Sequence, residues 1–141
     1  MASILIADDN EAIRMLLSQM FRADGHTIQA EADGLKALKA CRNQQFDLVF
    51  CDLFMPGMEG LETIRALRKE FPQLRVVAMS GGASNYGGDL LQVARLMGAA
   101  AILEKPFKWE QVKRVLEKAL QPTESDTLTM RRSYTPQPAV S

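Results

Sequence analysis

The stretch VFCDLFMPGMEG, Val49 to Gly60, carries an apolar run into a single aspartate, Asp52, and then into a proline and two glycines. A short apolar run that ends at turn residues is typical of a buried strand. By base rate, a lone aspartate at the end of a strand is a helix cap or a solvated loop residue. The rest of the chain decides whether Asp52 has a further role.

Similar apolar runs recur along the chain, and segments with helical periodicity separate them. The five runs are SILIA (3–7), HTIQAEA (26–32), DLVFC (47–51), LRVVAM (74–79) and AAAIL (99–103). The clearest helical stripes are Ile13, Leu16, Leu17, Met20 and Phe21, and later Val112, Val115, Leu116 and Ala119. Strand and helix therefore alternate five times, which predicts five helices.

The character of the runs predicts how the strands are arranged. The first, third and fourth are continuously apolar, as expected of parallel strands that helices cover on both faces. The second alternates polar and apolar residues and is expected at a sheet edge. With right-handed crossovers, the pattern predicts an α/β fold, a doubly wound five-stranded parallel sheet of flavodoxin-like order 2-1-3-4-5 with five helices.

Composition predicts one globular domain over residues 1–121. The 17 basic and 17 acidic residues of the chain balance, which disfavours nucleic acid or an anionic membrane as a partner. No apolar run approaches the roughly 20 residues of a membrane span, and the first residues lack the pattern of a signal peptide, so we expect a cytoplasmic protein. Cys41 and Cys51 lack metal-ligand spacing and are predicted to be small buried or half-buried hydrophobes. Residues 122–141, with three prolines and no apolar period, are expected to form a disordered tail.

Polar residues follow four of the five runs at the point where each strand is expected to end. Asp8 and Asp9 follow the first run, Asp52 the third, Ser80 the fourth and Lys105 the fifth. Each alone is ordinary as a cap, a turn residue or a solvated side chain. Because the carboxyl ends of parallel strands share one edge, these residues are expected to meet there.

The meeting of three carboxylates has an electrostatic consequence. At separations of about 5 Å they would repel by roughly 3 kcal/mol per pair at an effective dielectric near 20, so the cluster requires a cation. An all-oxygen set without histidine or cysteine suits Mg²⁺. Lys105 adds a positive charge that can pair with Asp52 at rest or with an anion attached there, and Ser80 adds a hydroxyl donor. The pattern predicts a Mg²⁺ site at which Asp52 accepts a phosphoryl group.

Four segments resemble the motifs of the response-regulator receiver domain of two-component signalling, in its stand-alone, chemotaxis-regulator-like form. They are ILIADDNEAIRMLL (4–17), DLVFCDLFMPGMEGLETIRALR (47–68), VVAMSGG (76–82) and ILEKPF (102–107), and the resemblance covers about residues 3–120. It implies that Asp52 is the phosphoacceptor. It also implies that Asp9 and Asp52 bind Mg²⁺ directly, whereas Asp8 acts largely through a water on the metal.

The resemblance implies further site residues. The carbonyl of Phe54 would complete the metal ligands, and Ser80, the backbone N–H of Gly81, and Lys105 would hold the phosphoryl oxygens. The Lys105–Pro106 bond would be cis, which turns the lysine back into the site.

The implied function is that of a single-domain response regulator that relays a two-component signal. A histidine kinase or histidine phosphotransfer protein would donate the phosphoryl group, and a downstream protein would bind the face of the fourth helix, fifth strand and fifth helix. The chain would catalyse only its own phosphorylation and dephosphorylation, and would be a monomer or weak dimer. Many receivers carry an aromatic residue where this chain has Ile102, so an aromatic switch at that position is excluded. Ile102 and a long glycine-rich loop at 80–89 leave open a phosphorylation-independent binding module.

Two other classes fit the residues less well. Aspartyl-phosphate hydrolases resemble this site but carry an acid/base aspartate two residues after the nucleophile, where this chain has Phe54. Flavin binding is disfavoured because the strand ends carry acidic residues rather than a neutral, hydroxyl-rich lining.

Overall fold

The structure, a computed structural model of the 141-residue chain, describes residues 1–53, 60–81, 92 and 95–121. Five parallel strands form one sheet in the order β2-β1-β3-β4-β5, which confirms the predicted topology. The strands are β1 (Ser3–Ala7), β2 (Thr27–Glu31), β3 (Leu48–Asp52), β4 (Arg75–Gly81) and β5 (Ala101–Lys105).

Four helices are described in full: α1 (Glu11–Ala23), α2 (Gly34–Asn43), α3 (Gly60–Glu70) and α4 (Trp109–Leu120). The last of these is the fifth helix of the sequence prediction. Of the predicted fourth helix, only Gln92, Arg95 and Leu96 are described as helical. Phe54, residues 82–89 of the predicted loop, and the predicted tail lie outside the described residues.

The core consists of two apolar clusters, one on each face of the sheet. Strand β1 contributes residues to both clusters, because successive side chains of a strand point to opposite faces. Leu5 and Ala7 pack with residues of α2 and α3. Ile4 and Ile6 pack with residues of α1 and α4. Every residue of β3 is buried. This two-sided burial explains the continuous apolar runs of the sequence.

The outer strand β2 has the half-exposed character that its alternating sequence predicts. On α1 the predicted apolar stripe is wrong at one position, since Leu16 is 40% exposed while Leu17, Ser18 and Phe21 are buried. Successive helical residues are about 100° apart, so the stripe that centres on Leu17 and Phe21 leaves Leu16 at its margin. Within the described residues, no helix is both long enough and apolar enough to cross a membrane.

Three strands extend further towards the site than the apolar runs predicted. Asp52 is the last residue of β3, and β4 and β5 continue to Gly81 and Lys105, which pair with each other in the ladder. Backbone hydrogen bonding continues past the point at which the side chains cease to be apolar. As a result, Asp52, Ser80 and Lys105 lie on strands rather than on loops.

Candidate phosphoryl and metal site

An acidic cluster lies at the carboxyl ends of β1 and β3. Asp8, Asp9 and Asp52 each offer a carboxylate oxygen within 4.8 Å of those of the other two. Asp8 is fully buried, Asp52 is 5% exposed and Asp9 is exposed. The meeting of these three carboxylates, which the sequence predicted, is therefore observed.

Asp8 is held at all four of its polar atoms. Its backbone N–H donates to the Glu31 carbonyl (3.1 Å), and its own carbonyl accepts from the Arg14 guanidinium (2.8 Å). One carboxylate oxygen accepts from the Asn10 N–H (2.9 Å), and the other lies 2.6 Å from Lys105 Nζ. A carboxylate in this state is already satisfied by the protein, whereas no hydrogen bond or ion pair of the Asp9 carboxylate is found among the described residues.

Lys105 bridges two of the carboxylates. Its ammonium lies 2.6 Å from Asp8 Oδ2 and 3.5 Å from Asp52 Oδ2, and its side chain is 18% exposed. The sequence predicted that Lys105 pairs with Asp52; the ion pair with Asp52 is present, and the pair with Asp8 is shorter. The Lys105–Pro106 peptide bond is cis, as the family resemblance implied.

Ser80 and Gly81 lie beside the cluster at the end of β4, the strand between β3 and β5. Ser80 is fully buried, and within the described residues its hydroxyl oxygen has no hydrogen-bond partner. A buried hydroxyl that lacks a partner costs free energy, so the Ser80 hydroxyl is available to donate to a group that reaches it. Gly81 is exposed, and a Cβ added there would meet no atom of the described residues within 4 Å.

The residues present fit Mg²⁺. The donors are carboxylate oxygens, and no cysteine thiolate or histidine nitrogen belongs to the described cluster. Mg²⁺ prefers such oxygen ligands and keeps several waters, which the exposed side of Asp9 leaves room for. The carbonyl of Phe54, implied as a further ligand, lies outside the described residues.

Both cysteines are free and buried, as the sequence predicted. Burial, with a smaller effect from Glu70, raises the pKa of the Cys41 thiol to about 11. Burial raises the pKa of the Cys51 thiol further, with added effects from the carboxylates of Asp52 and Asp8. The cysteine adjacent to the phosphoacceptor candidate is therefore a neutral packing residue.

Sequence reasoning missed three residues that shape the site: Asn10, Arg14 and Gly60. A Cβ added at Gly60 would overlap the Asp52 carbonyl oxygen and the Leu53 backbone, so α3 begins in direct backbone contact with the end of β3. The glycines of the segment MPGMEG (55–60) are a sequence signal for close approach of two backbones. Arg14 lies in the motif that contains the acidic pair, but nothing in its spacing shows that it reaches back to the Asp8 carbonyl.

Comparison with known proteins gives the same picture. The family model of the response regulator receiver domain matches residues 4–117. Sporulation initiation phosphotransferase F of Bacillus subtilis is 33% identical over 118 residues, which cover 83% of this chain and 92% of that protein. The solved receiver domain of NtrX from Brucella abortus is 32% identical with a TM-score of 0.80, and the match covers 85% of this chain and 99% of that one. Chemotaxis protein CheY4 of Vibrio cholerae is 29% identical with a TM-score of 0.77, at the same coverage.

The chain also matches transcriptional regulators and sensor kinases that are much longer, and it spans only 11% to 27% of their length. What these proteins share with it is the receiver domain. Receivers act in general as phosphoryl acceptors that interact with histidine kinases or phosphotransfer proteins. The chain belongs to the response-regulator receiver family of two-component signalling.

Proposed function

We propose that Asp52 accepts a phosphoryl group from a phosphohistidine donor in a Mg²⁺-dependent reaction, and that phosphorylation changes the affinity of the chain for a partner protein. One arrangement carries the proposal. The Asp52 carboxylate ends a fully buried strand, within 4.8 Å of two further carboxylates and 3.5 Å from a lysine ammonium. On the adjacent strand lies the buried Ser80 hydroxyl, which has no hydrogen-bond partner in the part of the chain that the structure describes.

The transfer requires little from the protein beyond position and charge. An Asp52 oxygen forms the new bond to phosphorus while the bond from phosphorus to the donor imidazole breaks, and the imidazole nitrogen takes up a proton. Bound Mg²⁺ supplies charge neutralisation for the phosphoryl oxygens and for the acidic cluster. Lys105, the Ser80 hydroxyl and the backbone N–H of Gly81 would supply donors to the phosphoryl oxygens on the protein side.

The phosphoryl group would also rearrange the resting contacts. Lys105 is now shared between Asp8 and Asp52, and a dianionic group on Asp52 offers it a stronger partner. The same group offers an acceptor to the Ser80 hydroxyl, which has none among the described residues. Ser80 lies on β4 and Lys105 on β5, and the two strands are paired. A movement of Ser80 is therefore coupled to β5.

The proposed partner face includes β5 and α4, together with the predicted fourth helix, most of which lies outside the described residues. A groove of about 350 Å³ lies between β5 and α4 and is lined in part by Ile102, Val115, Arg114 and Lys118. It combines apolar side chains with the cations of Arg114 and Lys118 and the carboxylate of Glu104. Protein-binding surfaces likewise combine apolar residues with polar ones. We propose that the chain acts as a monomer or weak dimer.

The donor class is supported by the relatives, two of which are sensor kinases. A histidine kinase or a histidine phosphotransfer protein would therefore supply the group. The only chemistry proposed for the chain is its own phosphorylation and dephosphorylation.

A labelling experiment tests the proposal. The purified chain is incubated with phosphoramidate, a small donor with a phosphorus–nitrogen bond, with and without Mg²⁺, and intact mass is measured. We expect one added phosphoryl group that requires Mg²⁺ and is absent from Asp52→Ala. The matched control Glu117→Gln removes an exposed carboxylate on α4 and should label as the parent does. Equal labelling of Asp52→Ala would refute the assignment.

Partner switching requires a second measurement. Backbone NMR shifts with and without beryllium fluoride, a phosphoryl mimic, should change along β5 and α4 as well as at the site. Changes confined to the acidic cluster would favour the phosphorylation-independent binding module.

A further inference from the structure

Arg14 reaches the acidic site from the first turn of α1. Its guanidinium donates to the carbonyl oxygen of Asp8 at 2.8 Å, and the side chain is partly buried. This bond spans six residues and joins the helix to the loop that precedes it. The loop is the one that carries both Asp8 and Asp9.

The position of that carbonyl determines what the contact controls. The Asp8 carbonyl belongs to the peptide unit whose nitrogen is that of Asp9, and a peptide unit is planar. Holding the oxygen therefore sets the plane from which the Asp9 side chain departs. Asp8 has three other anchors, whereas within the described residues the Asp9 carboxylate has none.

The local helix start adds to this constraint. Asn10 caps α1 by accepting from the Ile13 N–H (3.2 Å), and its own N–H donates to Asp8 Oδ1 (2.9 Å). Asp9 thus lies between two residues that hydrogen bonds hold in place: Arg14 binds the Asp8 carbonyl, and Asn10 caps the helix. Of these two hydrogen bonds, only the first is made by a side chain from within the helix.

We propose that Arg14 is a positioning residue for the Mg²⁺ site: by holding the Asp8 carbonyl it fixes the Asp8–Asp9 peptide and so aims the Asp9 carboxylate at the metal. This inference rests on the proposed Mg²⁺ dependence and adds a residue to it. Groups that orient metal ligands in this way strongly affect metal affinity although they do not touch the metal.

An effect of the Arg14 charge and an effect of its positioning role predict opposite changes in Mg²⁺ affinity when Arg14 is removed, so the inference can be tested. A guanidinium near three carboxylates repels Mg²⁺, so if Arg14 acted by charge alone its removal would tighten Mg²⁺ binding. If it acts by position, its removal weakens binding despite the lost repulsion. Arg14→Lys separates the two effects further, because it keeps the positive charge but lacks the planar guanidinium donors.

The experiment measures Mg²⁺ dissociation constants by calorimetry on the full chain. The variants are Arg14→Met, Arg14→Lys and the control Arg22→Met, which removes an exposed arginine from the last turn of the same helix. We expect Mg²⁺ binding weakened roughly tenfold in both Arg14 variants and unchanged in the control. Equal or tighter binding by Arg14→Met would overturn the inference.

A second readout does not depend on the metal. Without Mg²⁺, the Asn10 amide should lose hydrogen-exchange protection in Arg14→Met but not in Arg22→Met, because its acceptor lies on the released residue. Unchanged protection would also overturn the inference. Failure of the proposed function would give a different result. The parent chain would then bind no Mg²⁺, whereas hydrogen-exchange protection of the Asn10 amide would still differ between Arg14→Met and Arg22→Met.

Discussion

Lys105 lies closer to Asp8 than to Asp52, the proposed phosphoacceptor: its ammonium is 2.6 Å from one carboxylate and 3.5 Å from the other. Asp8 is fully buried, so this pair neutralises a charge that water cannot reach. In the absence of a metal, the lysine is therefore a structural counter-ion of the cluster as well as a candidate ligand for phosphate.

Lys105→Met should destabilise the metal-free chain. Removing the ammonium leaves three neighbouring carboxylates with less compensation, so we expect the free energy of unfolding to fall by about 1 to 3 kcal/mol. Added Mg²⁺ should restore more stability in the variant than in the parent. Urea unfolding with and without Mg²⁺ measures both effects. Lys118→Met, at an exposed position on α4, is the control, and equal losses in the two variants would contradict the prediction.

Asp9→Asn should have the opposite effect on the metal-free chain. Asp9 is the exposed member of the cluster and adds repulsion without a partner among the described residues. Its neutralisation should raise the melting temperature without Mg²⁺ and abolish the stabilisation that Mg²⁺ provides. Thermal unfolding followed by circular dichroism measures this, with Asp24→Asn as the control. A variant that Mg²⁺ still stabilises as it does the parent would show that Asp9 is not a ligand.

Ser80→Ala should separate stability from ligand binding. The hydroxyl is buried without a partner among the described residues, so its removal should leave the stability unchanged or raise it by up to about 1 kcal/mol. Binding of beryllium fluoride should weaken roughly tenfold, because a donor to an anionic acceptor is lost. Chemical unfolding measures the change in stability, and titration with beryllium fluoride followed by NMR measures the change in affinity. Ser18→Ala, at a buried serine on α1, should leave binding of the mimic unchanged, and equal binding by Ser80→Ala would contradict the assigned role.

Gly60→Ala should displace the end of β3, the strand that carries the proposed phosphoacceptor. The added methyl group would overlap backbone atoms of Asp52 and Leu53, which cannot rotate away as a side chain can. We expect a loss of about 1 to 3 kcal/mol in stability, together with slower phosphorylation. Gly81→Ala is the matched control for stability, since a methyl group there meets no described atom within 4 Å. Equal stability of the two variants would show that the contact at Gly60 is not rigid.

Cys41 should resist alkylation at neutral pH. Its pKa is raised from 9.0 to about 11, so the reactive thiolate is about a hundredfold scarcer than in an unperturbed cysteine. Because the unfolded chain ionises at the lower pKa, this residue's contribution to stability is complete below pH 9 and is lost as the pH rises towards 11. Iodoacetamide labelling followed by mass spectrometry, from pH 7 to pH 10, measures the reactivity with Cys41→Ser as the reference. Fast labelling at pH 7 would contradict the buried environment.

Much of the fold follows from local pattern. The apolar runs predicted five strands and their parallel order, and the half-polar second run predicted an edge. The apolar runs predict strand ends that are too early, because a polar side chain does not end the ladder: Asp52 and Lys105 are part of it. The stripe on α1 was one residue too wide at Leu16, since the width of a buried face depends on what packs against it.

By itself, the sequence determined which chemical groups meet. Strands that alternate with helices end at one edge of a parallel sheet, so residues that directly follow those strands must share that edge. The tertiary structure decided how those groups divide their contacts: Lys105 lies nearer Asp8 than Asp52, the Ser80 hydroxyl lacks a partner among the described residues, and Arg14 holds a backbone carbonyl. Periodicity places a side chain on a face or at an edge, but hydrogen bonds form over tenths of an ångström, and only the packing of all the elements sets such distances.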